Sequence, residues 1–140
     1  MGITFKITRK NGGKAEGVLS WPEKNLSSPA VSGPYGAGFI ESGAYRARRN
    51  VLLDKDGIPA YCDPNSKCWF QLLDPQFQTA RTDIGIHPDG NVPGTEGCIG
   101  ITVNDTKPWY DALYSVASGS YTTVDVTEEI LIADNGNGDV

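Results

Sequence analysis

Histidine occurs once in this sequence, at position 87, and cysteine only at positions 62, 68 and 98. That scarcity argues against a structural zinc site. Five residues separate Cys62 from Cys68, and no second cysteine pair completes a ligand set. The same spacing argues against a redox protein of the Cys-x-x-Cys type. No apolar run approaches the roughly 20 residues of a membrane-spanning helix. The opening MGITFKITRKNGGK has neither an apolar core nor a small-residue cleavage site, so it does not read as a secretory signal. Lys6 stands where N-myristoylation needs Ser or Thr.

Positive charge is also limited, with 12 Lys and Arg against 17 Asp and Glu. The basic residues gather in the first 50 positions but in short runs broken by glycine and proline. They form neither a recognition helix nor an RNA-binding sheet signature, which argues against a nucleic-acid partner. Residues 125 to 140 hold five acids and no base, and ADNGNGDV lacks the terminal Glu of a calcium loop, so residues 134 to 140 read as a loose acidic tail. Residues 1 to 133 form the expected single domain.

Seventeen glycines and nine prolines point to many turns and short strands. Ile3, Phe5 and Ile7 alternate with polar residues, as in a half-buried strand. KNGGK is a hairpin turn and AEGVLSW its return strand. The proline-rich stretch 22 to 43 reads as irregular loop. GAYRARRNVLL reads as strand, IPAYC and CWFQLL as two arms of a hairpin about DPNSK, and ARTDIGIH as a strand ending at His87. One helix is expected near residues 106–117, capped by Asp105 or Thr106, with Pro108 in its first turn. Trp109, Leu113 and Val116 fall on its apolar face. YTTVDVTEEILI supplies one or two β-rich strands. The fold class is therefore mostly β, a sandwich or mixed sheet, with one packed helix.

Cys62 and Cys68 either pair across their tight turn or remain two reduced thiols. Cys98 is then left over. It is either a small buried hydrophobe or a nucleophile, and its setting, IGIHPDGNVPGTEGCIGI, favours the second. Glycine lets another molecule approach the backbone closely, and Gly97 and Gly100 bracket the cysteine. Thiol catalysis needs an imidazole to take the proton and N–H groups to hold an oxyanion. Two neighbouring strands would bring His87 to Cys98, with the Gly97 and Cys98 amides as donors.

HPDGNVPGTEGCIGI resembles the active-site motif of the L,D-transpeptidase (YkuD-like) catalytic domain, in which a histidine is followed by a variable loop and then Ser/Thr-x-Gly-Cys and an aliphatic residue. His87, Thr95, Gly97, Cys98 and Ile99 occupy those positions. GPYGAGFIESGAYRA resembles the segment that precedes the family's catalytic loop, and the helix, glycine turn and strand after the motif keep the family's order. The likeness spans most of residues 30 to 126 and is strongest to short peptidoglycan-targeting effector variants. Glu96 stands where the family has histidine, and Gly100 where it has arginine.

The resemblance implies Cys98 as nucleophile, His87 as base and Thr95 as shaper of the loop. Tyr45, Arg81, Asp89, Glu96 and the Arg46, Arg48, Arg49 cluster are candidate substrate contacts. It implies peptidoglycan stem peptides as substrate, whose carboxylates the basic first third of the chain would meet, and no metal or organic cofactor. The expected setting is the cell wall, reached as a phage lysis or virion enzyme or as an injected effector with an immunity partner. The competing expectation is a catalytically silent module that binds wall polymer or a delivery particle.

Overall fold

The computed structural model describes residues 2–90 and 93–130. Ten strands form one mixed sheet. In chain order they are β1 (Ile3–Asn11), β2 (Lys14–Trp21), β3 (Leu26–Ser32), β4 (Gly43–Arg48), β5 (Leu52–Asp54), β6 (Trp69–Leu72), β7 (Asp74–Pro75), β8 (Gly85–Pro88), β9 (Ile99–Ile101) and β10 (Tyr121–Glu128). The single α-helix among the described residues, α1 (Lys107–Tyr114), lies between β9 and β10. The spatial order is β5-β6-β8-β9-β3-β2-β1-β10-β4-β7. The fold is thus mostly β with one helix, as expected, and the proposed tail lies outside the described residues.

The alternation in β1 has its expected consequence, because Ile3, Phe5 and Ile7 are all fully buried. β1 turns into β2 through Gly12, whose φ of +64° suits glycine. It also pairs in parallel with β10, setting Ile3 beside Val124 and Phe5 beside Val126. On the other arm Ile86, Ile99, Ile101 and Trp69 join the same core. The sheet curls far enough for Gln71 Nε2 in β6 to donate to the Arg48 carbonyl in β4 at 3.0 Å.

The helix buries Trp109, Ala112 and Leu113 against this core. Trp109 Nε1 donates to Ser28 Oγ at 2.9 Å, so the indole is buried without an orphaned N–H. The start of the helix is held partly from outside. Asp105 Oδ1 accepts from the Lys107 N–H, while Asp63 Oδ2 accepts from both the N–H and the hydroxyl of Thr106. The helix proper is shorter than the expected 106–117, because the chain tightens after Tyr114 into i→i+3 bonds, with Val116 N–H donating to Leu113 O.

Four expectations need correcting. ARTDIGIH is strand only from Gly85, and β8 runs one residue past His87 to Pro88. The stretch 22 to 43 is not all loop, since β3 runs through it between β2 and β9. Pro29 is tolerated because its carbonyl, and so its nitrogen, faces Thr102 just beyond the end of β9, and the missing N–H takes no bond from the β2 ladder. IPAYC is not a strand: Pro59–Tyr61 make a 3₁₀ turn, in which Pro59 fills the first position without needing a donor. GAYRARRNVLL is broken by a 3₁₀ turn at Arg49–Val51, which separates β4 from β5.

Candidate active site

β8 and β9 lie side by side in parallel, with Ile86 opposite Ile99 and His87 opposite Gly100. Side chains alternate faces along a strand, and paired residues of a parallel ladder share a face. The isoleucines point into the core. His87 and Gly100 take the other face, and continuing that register puts Gly85 beside Cys98. Histidine and cysteine thus emerge on one side of the sheet, on neighbouring strands. Both line a cleft of about 700 Å3, with Tyr35, Ala60, Tyr61, Thr82, Asp83, Ile84, Gly94, Thr95 and Glu96.

His87 is held on several sides. Its Nδ1 lies 2.6 Å from the Pro88 carbonyl, which makes Nδ1 the protonated nitrogen and leaves Nε2 as an acceptor. Phe70 stacks over the ring at 5.9 Å and Tyr61 meets it edge-on at 5.0 Å. Phe70 reaches it because residue 85 is glycine, where a Cβ would come within 2.4 Å of the Phe70 ring. Burial pushes the imidazole below its ordinary pKa, so it is neutral near pH 7.

The Cys98 thiol is partly buried and donates to the Asp83 carbonyl at 3.6 Å. Burial first, and then the Glu96 and Asp83 carboxylates, push its pKa up to about 11, against the contrary pull of the Gly85 N–H. Among the described residues no hydrogen bond joins the sulfur to the imidazole. The resting state is a neutral thiol beside a neutral base, not the thiolate that activation by His87 alone would give.

Thr95 organises the loop. Its buried hydroxyl accepts from the N–H groups of Gly33 at 3.0 Å and Gly97 at 3.3 Å, and donates to the Cys98 carbonyl at 2.6 Å. Its backbone exchanges further bonds with Gly33 and Tyr35, so the two glycine-rich segments lie against each other. One expected role changes in consequence. The Gly97 amide is engaged by Thr95, and among the described residues the Cys98 N–H remains the open donor for an oxyanion. Gly97, at φ +115°, supplies the backbone shape that sets this up.

The expected substrate contacts divide. Glu96 lines the cleft. Asp89 does not; its carboxylate accepts the Gly94 N–H at 3.1 and 3.3 Å and clasps the loop that leaves His87. Tyr45 faces the core, 2% exposed, because the alternation of β4 turns it and Ala47 inward, and its hydroxyl donates to the Glu41 carbonyl. Arg81 directs its guanidinium to the Phe39 and Ala37 carbonyls at 2.6 and 3.0 Å, bracing the loop beside Gly97. Arg46 and Arg49 lie over Tyr121 and Tyr114, and Arg48 pairs with Asp74. None of these arginines lines the cleft, nor does any lysine or other arginine among the described residues. The basic first third is instead engaged elsewhere, as in the Lys6–Glu129 and Lys10–Glu128 pairs.

The cysteines at the turn are joined, Cys62 to Cys68. This short loop carries Tyr61 and Ala60 onto the cleft wall. Tyr61 and Asp83 were not singled out from the sequence, although the position of Tyr61 directly before a turn cysteine was a usable signal. No protein-family model, curated protein or solved structure matches the chain. The likeness to L,D-transpeptidases rests on the sequence patterns of residues 30 to 126 alone.

Proposed function

We propose that the protein is a cysteine-dependent acyl transferase or peptidase of the L,D-transpeptidase type, acting on peptidoglycan stem peptides. The observation that carries this reading is the cleft shared by His87, on β8, and Cys98, which directly precedes the parallel neighbour β9 and brings an open amide. His87 Nε2 takes the thiol proton as Cys98 Sγ attacks the carbonyl of the third stem residue. The Cys98 N–H meets the oxyanion. The carbon–nitrogen bond breaks, the imidazolium returns its proton to the leaving D-alanine amine, and a thioester remains. Water or an amine then attacks the thioester, gives its proton to His87, and releases the thiol.

Because the resting dyad is neutral, proton transfer and attack are coupled in this scheme rather than prepared by a standing ion pair. The setting we propose is the cell wall, reached by phage or secretion-system delivery.

The test is incubation with purified disaccharide-tetrapeptide, with and without a D-amino acid, followed by mass measurement. Loss of the terminal D-alanine identifies hydrolysis and its replacement identifies exchange, and either is expected to vanish in Cys98→Ala. An unchanged substrate refutes the proposal and leaves the silent wall-binding module.

A further inference from the structure

We propose that Asp83 and Glu96 form a subsite for a primary ammonium group beside Cys98, so that the cleft selects a cationic substrate group. This rests on the reading above for its reaction but on separate observations for its charge. Both carboxylates line the cleft that holds the nucleophile, and no Lys or Arg among the described residues does. Neither takes part in an ion pair among the described residues. Asp83 accepts only a long 3.4 Å contact from Thr82 Oγ1, and its own main-chain oxygen is the acceptor of the Cys98 thiol. The cleft wall also includes an all but buried polar group. His87 is 6% exposed, its Nδ1 is engaged by Pro88, and its Nε2 makes no hydrogen bond among the described residues.

Both residues are exposed where they line the cleft, and their like charges sum to a field that attracts a cation and is screened by salt. They also oppose formation of the thiolate beside them. An ammonium seated between them offsets that opposition. The bound substrate thereby assists its own nucleophile, and a cleft without an ammonium holds a quiet thiol. Stem peptides contain such a group in a diamino acid at their third position, and an incoming D-amino acid brings another. The shared chemistry is a primary ammonium, and the experiment separates its sources.

Cys98 is treated with methanethiosulfonates bearing an ammonium or a sulfonate. The thiolate attacks the sulfenyl sulfur, a mixed disulfide forms and methanesulfinate leaves. Each rate is divided by that of mercaptoethanol with the same reagent. The expected result is a preference of roughly tenfold or more for the cation at low salt, shrinking as ionic strength rises. It should collapse towards unity in Asp83→Asn/Glu96→Gln and reverse in Glu96→Lys. Equal normalised rates for the two reagents in the unaltered protein overturn the subsite.

The second arm compares tetrapeptides whose third-residue side-chain amine is free or acetylated. A tenfold or greater fall in kcat/KM on acetylation assigns the subsite to the acyl donor. Equal kcat/KM, with a KM for the D-amino acid that rises in the double variant, assigns it to the acceptor. If kcat/KM and that KM are both indifferent, the subsite has no part in catalysis and the proposal falls. Turnover of neither peptide removes the transpeptidase reading, while the charge preference of the reagents still decides the subsite.

Discussion

The resting protonation of Cys98 has a measurable consequence in its alkylation rate. A free cysteine of pKa about 8.5 is about 3% thiolate at pH 7. With its pKa pushed up to about 11, chiefly by burial, Cys98 is about 0.01% thiolate there. The ratio of populations is about 300. A more basic thiolate is also the better nucleophile, with a Brønsted slope of about 0.4–0.5, which returns a factor of about 10–20. Labelling by iodoacetamide at pH 7 should therefore run roughly 20-fold slower than that of a small thiol of ordinary pKa. The pH profile is more telling than the single rate. The small thiol levels off above about pH 9, whereas Cys98 labelling should keep rising about tenfold per pH unit towards pH 11. Peptide mass spectrometry locates the label, and Cys98 is the one free cysteine. His87→Ala should leave this profile almost unchanged, because the ring does not hold the thiol's proton at rest, yet it should abolish turnover. A labelling midpoint below pH 8 that disappears in His87→Ala would refute the neutral dyad and establish a thiolate–imidazolium pair.

Thr95→Val keeps the shape of the side chain but strands the Gly33 N–H and frees the Cys98 carbonyl, so a loss of about 2–4 kcal/mol is expected in denaturant melts. Cys62→Ser/Cys68→Ser opens a short loop and should cost about 2 kcal/mol on the chain-entropy model, read as a shift in midpoint against the oxidised protein. For pH, the lowered pKa of His87 means that the unfolded chain takes up its proton first. Its contribution to stability is whole above about pH 6.5 and is lost as the pH falls through the depressed native value. The raised pKa of Cys98 acts on the other side: its contribution is whole below the unfolded value and fades as pH rises towards about 11. His87→Phe should flatten the acid limb of a stability profile, and Cys98→Ala the alkaline one.

What could be read from the sequence follows from which forces act locally. The alternation of Ile3, Phe5 and Ile7, the turn at Gly12 and the helical face of Trp109 and Leu113 are set by neighbours in sequence, and all appear in the fold. The proximity of His87 and Cys98 was legible too, since a loop of that length joining two short strands leaves them few places to go. β3 was hidden because Pro29 signals a break, and only the end of β9 beside it makes the proline harmless. Tyr45 and Arg81 are residue types that often bind ligands, but their fates depend on distant partners: a core for the ring, and two loop carbonyls for the guanidinium. The same holds for Asp63, whose bonds to Thr106 cross 43 positions of sequence.

Gly100 allows a sharper test of how the site is built. The transpeptidase motif carries arginine at this position, and here the space is filled. A Cβ on residue 100 would lie 2.9 Å from Thr95 Cγ2 and 3.1 Å from Asp89 Cβ. Those two side chains are the ones that hold the Cys98 loop and the His87 loop, so the glycine is where the two clasps meet across β9. Overpacking of this kind costs about 1–3 kcal/mol, and Gly100→Ala is expected to lose that much stability and to slow turnover by displacing Thr95. Thr95→Ser removes the methyl that is struck first while keeping the hydroxyl that bonds Gly33, Gly97 and Cys98. The double variant Gly100→Ala/Thr95→Ser should therefore be more stable than the sum of its parts, by about 1 kcal/mol in a double-mutant cycle. Strict additivity would mean that the methyl is not the obstacle. The crowding at Gly100 would then be relieved through Asp89, and Asp89→Gly rather than Thr95→Ser would be the compensating change.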